Sequence, residues 1–121
     1  MKTLAAMLVL VVAAAAVIAT GAFARQSAAP TLVGTVGPGF SISLKQNGKA
    51  VKTLRHGTYS LVIHDEASIH SFSLTSPSGT KAFTSVPFVG TKTISVVLKA
   101  GRYTFFCPPH ASFMNGHFTV T

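Results

Sequence analysis

Residues 101–120 read Gly101-Arg102-Tyr103-Thr104-Phe105-Phe106-Cys107-Pro108-Pro109-His110-Ala111-Ser112-Phe113-Met114-Asn115-Gly116-His117-Phe118-Thr119-Val120. Tyr103, Phe105 and Cys107 alternate with Thr104 and Phe106, the two-residue period of a half-buried strand. Beyond Gly116, Phe118 and Val120 point one way and His117 and Thr119 the other. The stretch is therefore strand, short loop, strand. A tight loop between neighbouring strands folds back on itself at the end of a sheet. Cys107, His110 and Met114 can then converge on one point, with Pro108 and Pro109 stiffening the approach by fixing φ.

Working outward, the same alternation recurs. Phe40, Ile42 and Leu44 alternate with Ser41, Ser43 and Lys45. Asn47-Gly48 is a strong hairpin signal, with Val51–Leu54 as the return strand. Tyr59, Leu61 and Ile63 alternate again. His70, Phe72 and Leu74 share one face of a further strand, which Pro77-Ser78-Gly79 ends. Ile94, Val96 and Leu98 line one face of 91–98, and Ala100-Gly101 turns the chain. Residues 81–90 are irregular and read as a short helix or an edge loop. About seven short strands separated by Gly, Pro and Asn turns predict an all-β fold, a Greek-key antiparallel β-sandwich. The domain is expected over 32–121, behind a linker at 25–31.

The N-terminus reads differently. Lys2 precedes an apolar run from Leu4 to Ala19, and Ala22-Phe23-Ala24 is a small-x-small pattern. Residues 1–24 are expected to be a secretory signal peptide cleaved after Ala24, with an uncleaved anchor as the alternative. No cysteine stands directly after the run, which argues against a lipid-anchored lipoprotein. The chain is thus expected to be exported to the periplasm, the cell exterior or the outer membrane face. A single cysteine in such a compartment can form no internal disulfide. Capping its thiolate with a metal removes that liability.

The formal charge of the chain is +8. Without Lys2, nine Lys/Arg stand against Asp65 and Glu66, so 25–121 carries +7. Such a field suits an acidic partner, or an anionic membrane or cell-wall surface. The cations form no run in sequence, which disfavours nucleic acid. Two acids offer no hydrolytic constellation, and no enzyme activity is expected.

Thiolate, imidazole and thioether on one loop form a soft donor set. Two His, one Cys and a weak axial Met make the blue-copper electron-transfer pattern. Structural zinc sites favour four Cys or His ligands, and a Met argues against them. The loop supplies three donors. The second histidine must come from elsewhere, and His64 and His70 both end or begin a strand near the same rim. His56 and His117 read as surface histidines.

The run 101–110, followed by Met114-Asn115-Gly116-His117-Phe118-Thr119-Val120, resembles the C-terminal signature of plastocyanin-like cupredoxins. His70-Ser71-Phe72 resembles that family's upstream ligand motif, and Gly37-Pro38-Gly39-Phe40 its early loop. The resemblance selects His70 over His64. It implies one type 1 copper ion held by His70, Cys107 and His110, with Met114 axial. It also implies a monomeric carrier of one electron between transient redox partners. His110 would be the electron gateway, within an apolar patch of Pro38, Phe88, Pro109, Ala111 and Phe113 ringed by positive charge. Copper delivery, storage or resistance is the alternative, though no Met-rich or His-rich tract supports it. A metal-free adhesion domain would leave the Cys-x-x-His-x-x-x-Met loop unexplained. The chain also departs from the family. An Asn often follows the upstream histidine and bonds a Ser or Thr beside the cysteine, whereas Ser71 and Pro108 stand here. Pro108 and Pro109 have no N–H to offer the Cys107 sulfur, which leaves the Ser71 N–H as the expected donor.

Overall fold

The computed structural model describes residues 26–121, together with Ala16, Gly21 and Ala22. Apart from those three positions, the expected signal segment lies outside the described residues, as does Arg25.

Among the described residues ten strands follow one another: β1 (Thr31–Val36), β2 (Ile42–Gln46), β3 (Lys49–Ala50), β4 (Thr53–Leu54), β5 (Gly57–Asp65), β6 (Ser73–Ser76), β7 (Gly79–Ala82), β8 (Gly90–Leu98), β9 (Gly101–Phe106) and β10 (Asn115–Val120). They form two five-stranded sheets, ordered β3-β2-β1-β5-β8 and β4-β10-β9-β6-β7. The two-sheet, all-β architecture is the one expected. Pairing is mixed, however, because β1–β5 and β4–β10 run parallel. A parallel pair needs a long crossover. Here β2, β3 and β4 together make the connection from β1 to β5.

The hairpin after β2 turns at Asn47 (φ 50) and Gly48 (φ 76), and two successive positive φ values are what a type I′ turn requires. The return strand is split. Lys49–Ala50 stays in the first sheet and Thr53–Leu54 joins the second. Buried Val51 sits at the crossing.

Alternation places Leu32, Val36, Leu44, Leu61, Ile63, Val96, Leu98, Tyr103, Phe105, Phe118 and Val120 between the sheets. At the centre lies Phe72, fully buried. Its ring stacks on that of Phe105, with an interplanar angle of 2° and centroids 6.2 Å apart. Two glycines make this possible. A Cβ at Gly34 would lie 2.9 Å from the Phe72 ring, and one at Gly116 would lie 2.2 Å from Phe105 Cζ. A side chain at either position would overpack the core.

Two local expectations are corrected, and of the two readings of 81–90 the loop is the one found. Phe40 precedes its strand and is 61% exposed rather than turned inward. Residues 81–90 hold no helix: β7 takes their first two positions, and buried Phe83 and Thr84 begin a loop. His70 does not begin a strand, since β6 starts at Ser73.

The registers define two ends of the sandwich. Val36, Asp65, Gly90, Phe106 and Asn115 lie towards one end, which the loops 37–41, 66–72, 83–89 and 107–114 cap. Leu54, Gly57, Leu98, Gly101 and Val120 lie towards the other. The two sheets are joined there by a bond from the His56 N–H to the Thr121 carbonyl, 2.8 Å. The chain also enters at that end. Gln26–Pro30 lies beside Thr58, and the Pro30 carbonyl accepts from the Ser60 N–H at 2.9 Å.

Candidate metal centre

Cys107 directly follows β9. Its N–H donates to the Met114 carbonyl at 3.0 Å, closing the loop at its neck. Inside that neck, Pro108–His110 forms a 3-10 turn. Proline suits the first turn of a helix, where an N–H would have no partner. The His110 N–H donates to the Cys107 carbonyl at 3.0 Å, and the Met114 N–H to the His110 carbonyl at 2.9 Å. Asn115 Nδ2 adds a 2.8 Å bond to the Ala111 carbonyl. The loop is thus braced at every turn by its own backbone.

His70 arrives from the other side of the core. A turn bonds its N–H to the Ala67 carbonyl at 3.2 Å. Two residues on, Phe72 is clamped by the loop after β7. Its N–H donates to Thr84 Oγ1 at 2.8 Å, and its carbonyl accepts from the N–H groups of Phe83 (2.9 Å) and Thr84 (3.3 Å). The Thr84 hydroxyl in turn donates to Asp65 Oδ2 at 2.8 Å. Asp65 ends β5 and faces inward, where Tyr59, Leu61 and Ile63 are apolar. Its Oδ1 and His70 Nε2 are buried side-chain atoms without a hydrogen-bond partner among the described residues.

The outcome is a compact triangle. His70 Nδ1 and His110 Nδ1 lie 3.2 Å apart, and Cys107 Sγ lies 3.7 Å from the first and 3.6 Å from the second. A first-row ion with nitrogen at about 2.0 Å and sulfur at about 2.3 Å, bonded at angles between tetrahedral and trigonal, needs N–N of about 3.3–3.5 Å and N–S of about 3.5–3.7 Å. The three donors fit such an ion with little movement. His70 and Cys107 are fully buried and His110 half-buried. Met114 is buried on the same loop.

On residue type and position alone, His64 and His70 were equal candidates for the upstream ligand, and the triangle contains His70. His64 lies on β5 and bonds Thr91 Oγ1 through Nδ1 at 3.0 Å. His56 bonds the Thr121 carbonyl and His117 bonds Thr104 Oγ1, both at the surface. Other expectations are corrected. Among the described residues, no backbone N–H donates to Cys107 Sγ, and its hydrogen-bond partners are the two imidazoles. The rings on His110 are Phe40 (5.0 Å) and Phe113 (5.7 Å), not Phe88. Phe113 is 60% exposed, and Phe40 also packs edge-on against His70 at 5.5 Å. The loops around this site carry Glu66 and no Lys or Arg, while Lys92 from β8 bonds the Phe83 carbonyl and Lys81 from β7 lies over the Phe83 ring.

Thr84 and Asp65 are the residues that sequence reasoning missed, and Phe40 entered it only as part of the early loop that the resemblance pointed out. Only Asp65 left a signal, as a carboxylate on the inward phase of an otherwise apolar strand.

Two five-stranded sheets with a His–Cys–His cluster between loops at one end make this the cupredoxin fold. No protein-family model and no curated protein matches the chain. Solved structures do match. A methionine-to-glutamine variant of rusticyanin superposes with TM-score 0.55 at 20% identity, over 75% of this chain and 76% of that one. Another structure, of the copper protein rusticyanin, gives 0.54 at 21% identity over the same shares, 75% and 76%. A reduced tryptophan-to-tyrosine variant of amicyanin gives 0.51 at 14% identity, over 79% of this chain and 87% of that one. At these identities the likeness is one of fold.

Proposed function

We propose that this protein is an exported type 1 copper protein that carries one electron at a time between redox partners. The observation that carries the reading is the triangle of two imidazole Nδ1 atoms and one cysteine sulfur, at the separations that a shared first-row ion requires. His70, Cys107 and His110 would hold the ion, and the buried Met114 on the same loop would be the weak axial donor. Copper so held supplies a one-electron Cu(II)/Cu(I) couple, and a soft, mixed N/S donor set of this kind is the one associated with it.

The chain's own part is to hold the donors still and to offer a way in and out. The bonds at the loop neck and the clamp on Phe72 keep both ligand segments in one arrangement whatever the charge at the centre. His110 is the half-buried member of the cluster, flanked by the exposed rings of Phe40 and Phe113. An apolar surface around a single imidazole suits brief contact with a partner, since small interfaces release quickly. A delivery role would need ready exchange of the ion. The full burial of Cys107 and Met114 argues against it.

The test is to add Cu(II) to the purified protein and record its visible absorption, with Cys107→Ser as the control. An intense blue thiolate-to-copper band that the variant lacks is the expected result. A colourless complex in the parent protein would overturn the assignment.

A further inference from the structure

We infer that the end of the sandwich opposite the metal cluster docks on an anionic lipid surface, leaving the cluster end facing outward. Two independent features place the contact there.

The first is the distribution of charge. Lys52, Arg55, Lys99 and Arg102 are all exposed and all belong to this end. Arg55 follows Leu54, and Lys99 follows Leu98, at the last rungs of their ladders. Arg102 pairs with Thr119, one rung in, and Thr119 also pairs with Thr53, beside Lys52. The chain has only two acids, and both sit at the opposite end: Asp65 is the last residue of β5, and Glu66 follows it. None of the four cations therefore has an Asp or Glu side chain beside it. A group of exposed cations, with the acidic side chains segregated to the far pole, gives the molecule a charge axis along the strands. Near a surface of anionic headgroups each such cation strengthens binding about fivefold.

The second is the path of the chain. Gln26–Pro30 enters the fold beside Thr58, whose β8 partner is Val97, within the same basic end. The apolar run at 4–19 and Arg25 precede that entry in sequence. If the chain is exported as proposed above, the segment that follows the apolar run leads directly to the basic pole, whether the run is later removed or kept. β5 and β8 span nine residues each. At about 3.3 Å per residue the cluster end would stand roughly 30 Å from the surface.

The inference is tested on residues 25–121, which contain every strand and core residue of the described fold. Binding is measured to vesicles of phosphatidylcholine with phosphatidylglycerol and to vesicles of phosphatidylcholine alone. The expected result is binding to the anionic vesicles that falls steeply with added salt. The triple variant Arg55→Gln, Lys99→Gln, Arg102→Gln should lose on the order of a hundredfold in affinity. A flank control of equal charge, Lys45→Gln, Lys81→Gln, Lys92→Gln, should lose less than about tenfold. Equal losses in the two variants would mean that net charge alone acts, and would overturn the inference. So would equal binding to the two kinds of vesicle. Hydrogen exchange on the vesicles reads orientation: amides of 52–57 and 98–102 should slow while those of 107–114 do not. Protection of 107–114 would reverse the geometry and sink the proposal. None of these readouts uses copper, so a failed metal assignment would leave them intact.

Discussion

At the scale of single residues, the site turns on what each side chain can do once the fold has brought it in. Cys107, His110 and Met114 stand out in the sequence because their chemistry is unusual and their spacing is short. Phe40 does not. Its alternation with Ile42 and Leu44 mimics a core position, yet it covers the edges of two imidazoles that arrive from distant parts of the chain. Met114 is buried, so packing alone could account for it. Met114→Leu keeps nearly the same volume and should cost less than about 1.5 kcal/mol of stability. If its thioether donates to the oxidised ion, voltammetry should show a higher reduction potential and the blue band should shift. An unchanged potential and band would make Met114 a packing residue only. The Cys107 sulfur itself receives no backbone N–H bond among the described residues. Pro109→Ala restores an amide within the turn beside it. Hydrogen bonds to that sulfur favour the reduced ion, so the potential should rise, on the order of tens of millivolts. A fall or no change would show that the amide does not reach the sulfur.

At the scale of elements, alternation made most strands readable, while their pairing was not. Pairing depends on residues far apart in sequence. The parallel contacts of β1 with β5 and of β4 with β10, and the switch of sheets at Val51, have no local signature. With no side-chain tie between Ser71 and Pro108, something else must steady the upstream ligand segment. That device runs from Asp65 through Thr84 to the backbone of Phe72. It spans three elements, which is why no single stretch of sequence announced it. It also explains a carboxylate in the core, where an apolar residue would otherwise be expected. Thr84→Val removes the hydroxyl at nearly constant shape and leaves Asp65 Oδ2 and the Phe72 N–H unpaired. It should cost about 1–3 kcal/mol, expose the Phe72 amide to exchange, and speed copper loss. Thr84→Ser should restore all three properties. Equal copper-loss rates in the two variants would confine the pair to a structural role.

At the scale of the whole molecule, charge and chemistry are divided between two poles. The total of +8 was plain from composition, but it suggested a positive ring around the site. Folding carries the cations of 52–55 and 99–102 to the far end, leaves Lys81 and Lys92 against Phe83, and sets aromatic rings beside the cluster. Composition fixes how much charge there is, and only the registers say where it goes. The segments that carry the three donors are held by a core that extends through both sheets. The metal-free protein should therefore unfold in one cooperative transition, with a melting temperature that climbs as copper is added. A metal-free form lacking such a transition would contradict this.

The lone cysteine of the chain has no solvent-accessible surface at all. A neighbouring molecule cannot reach its sulfur, and neither can a bulky oxidant. A metal-free sample should therefore resist ageing in air. A sample stored in air with a chelator should still run as a single band on a non-reducing gel. The fold thus acts first as a stopper over a perishable thiol.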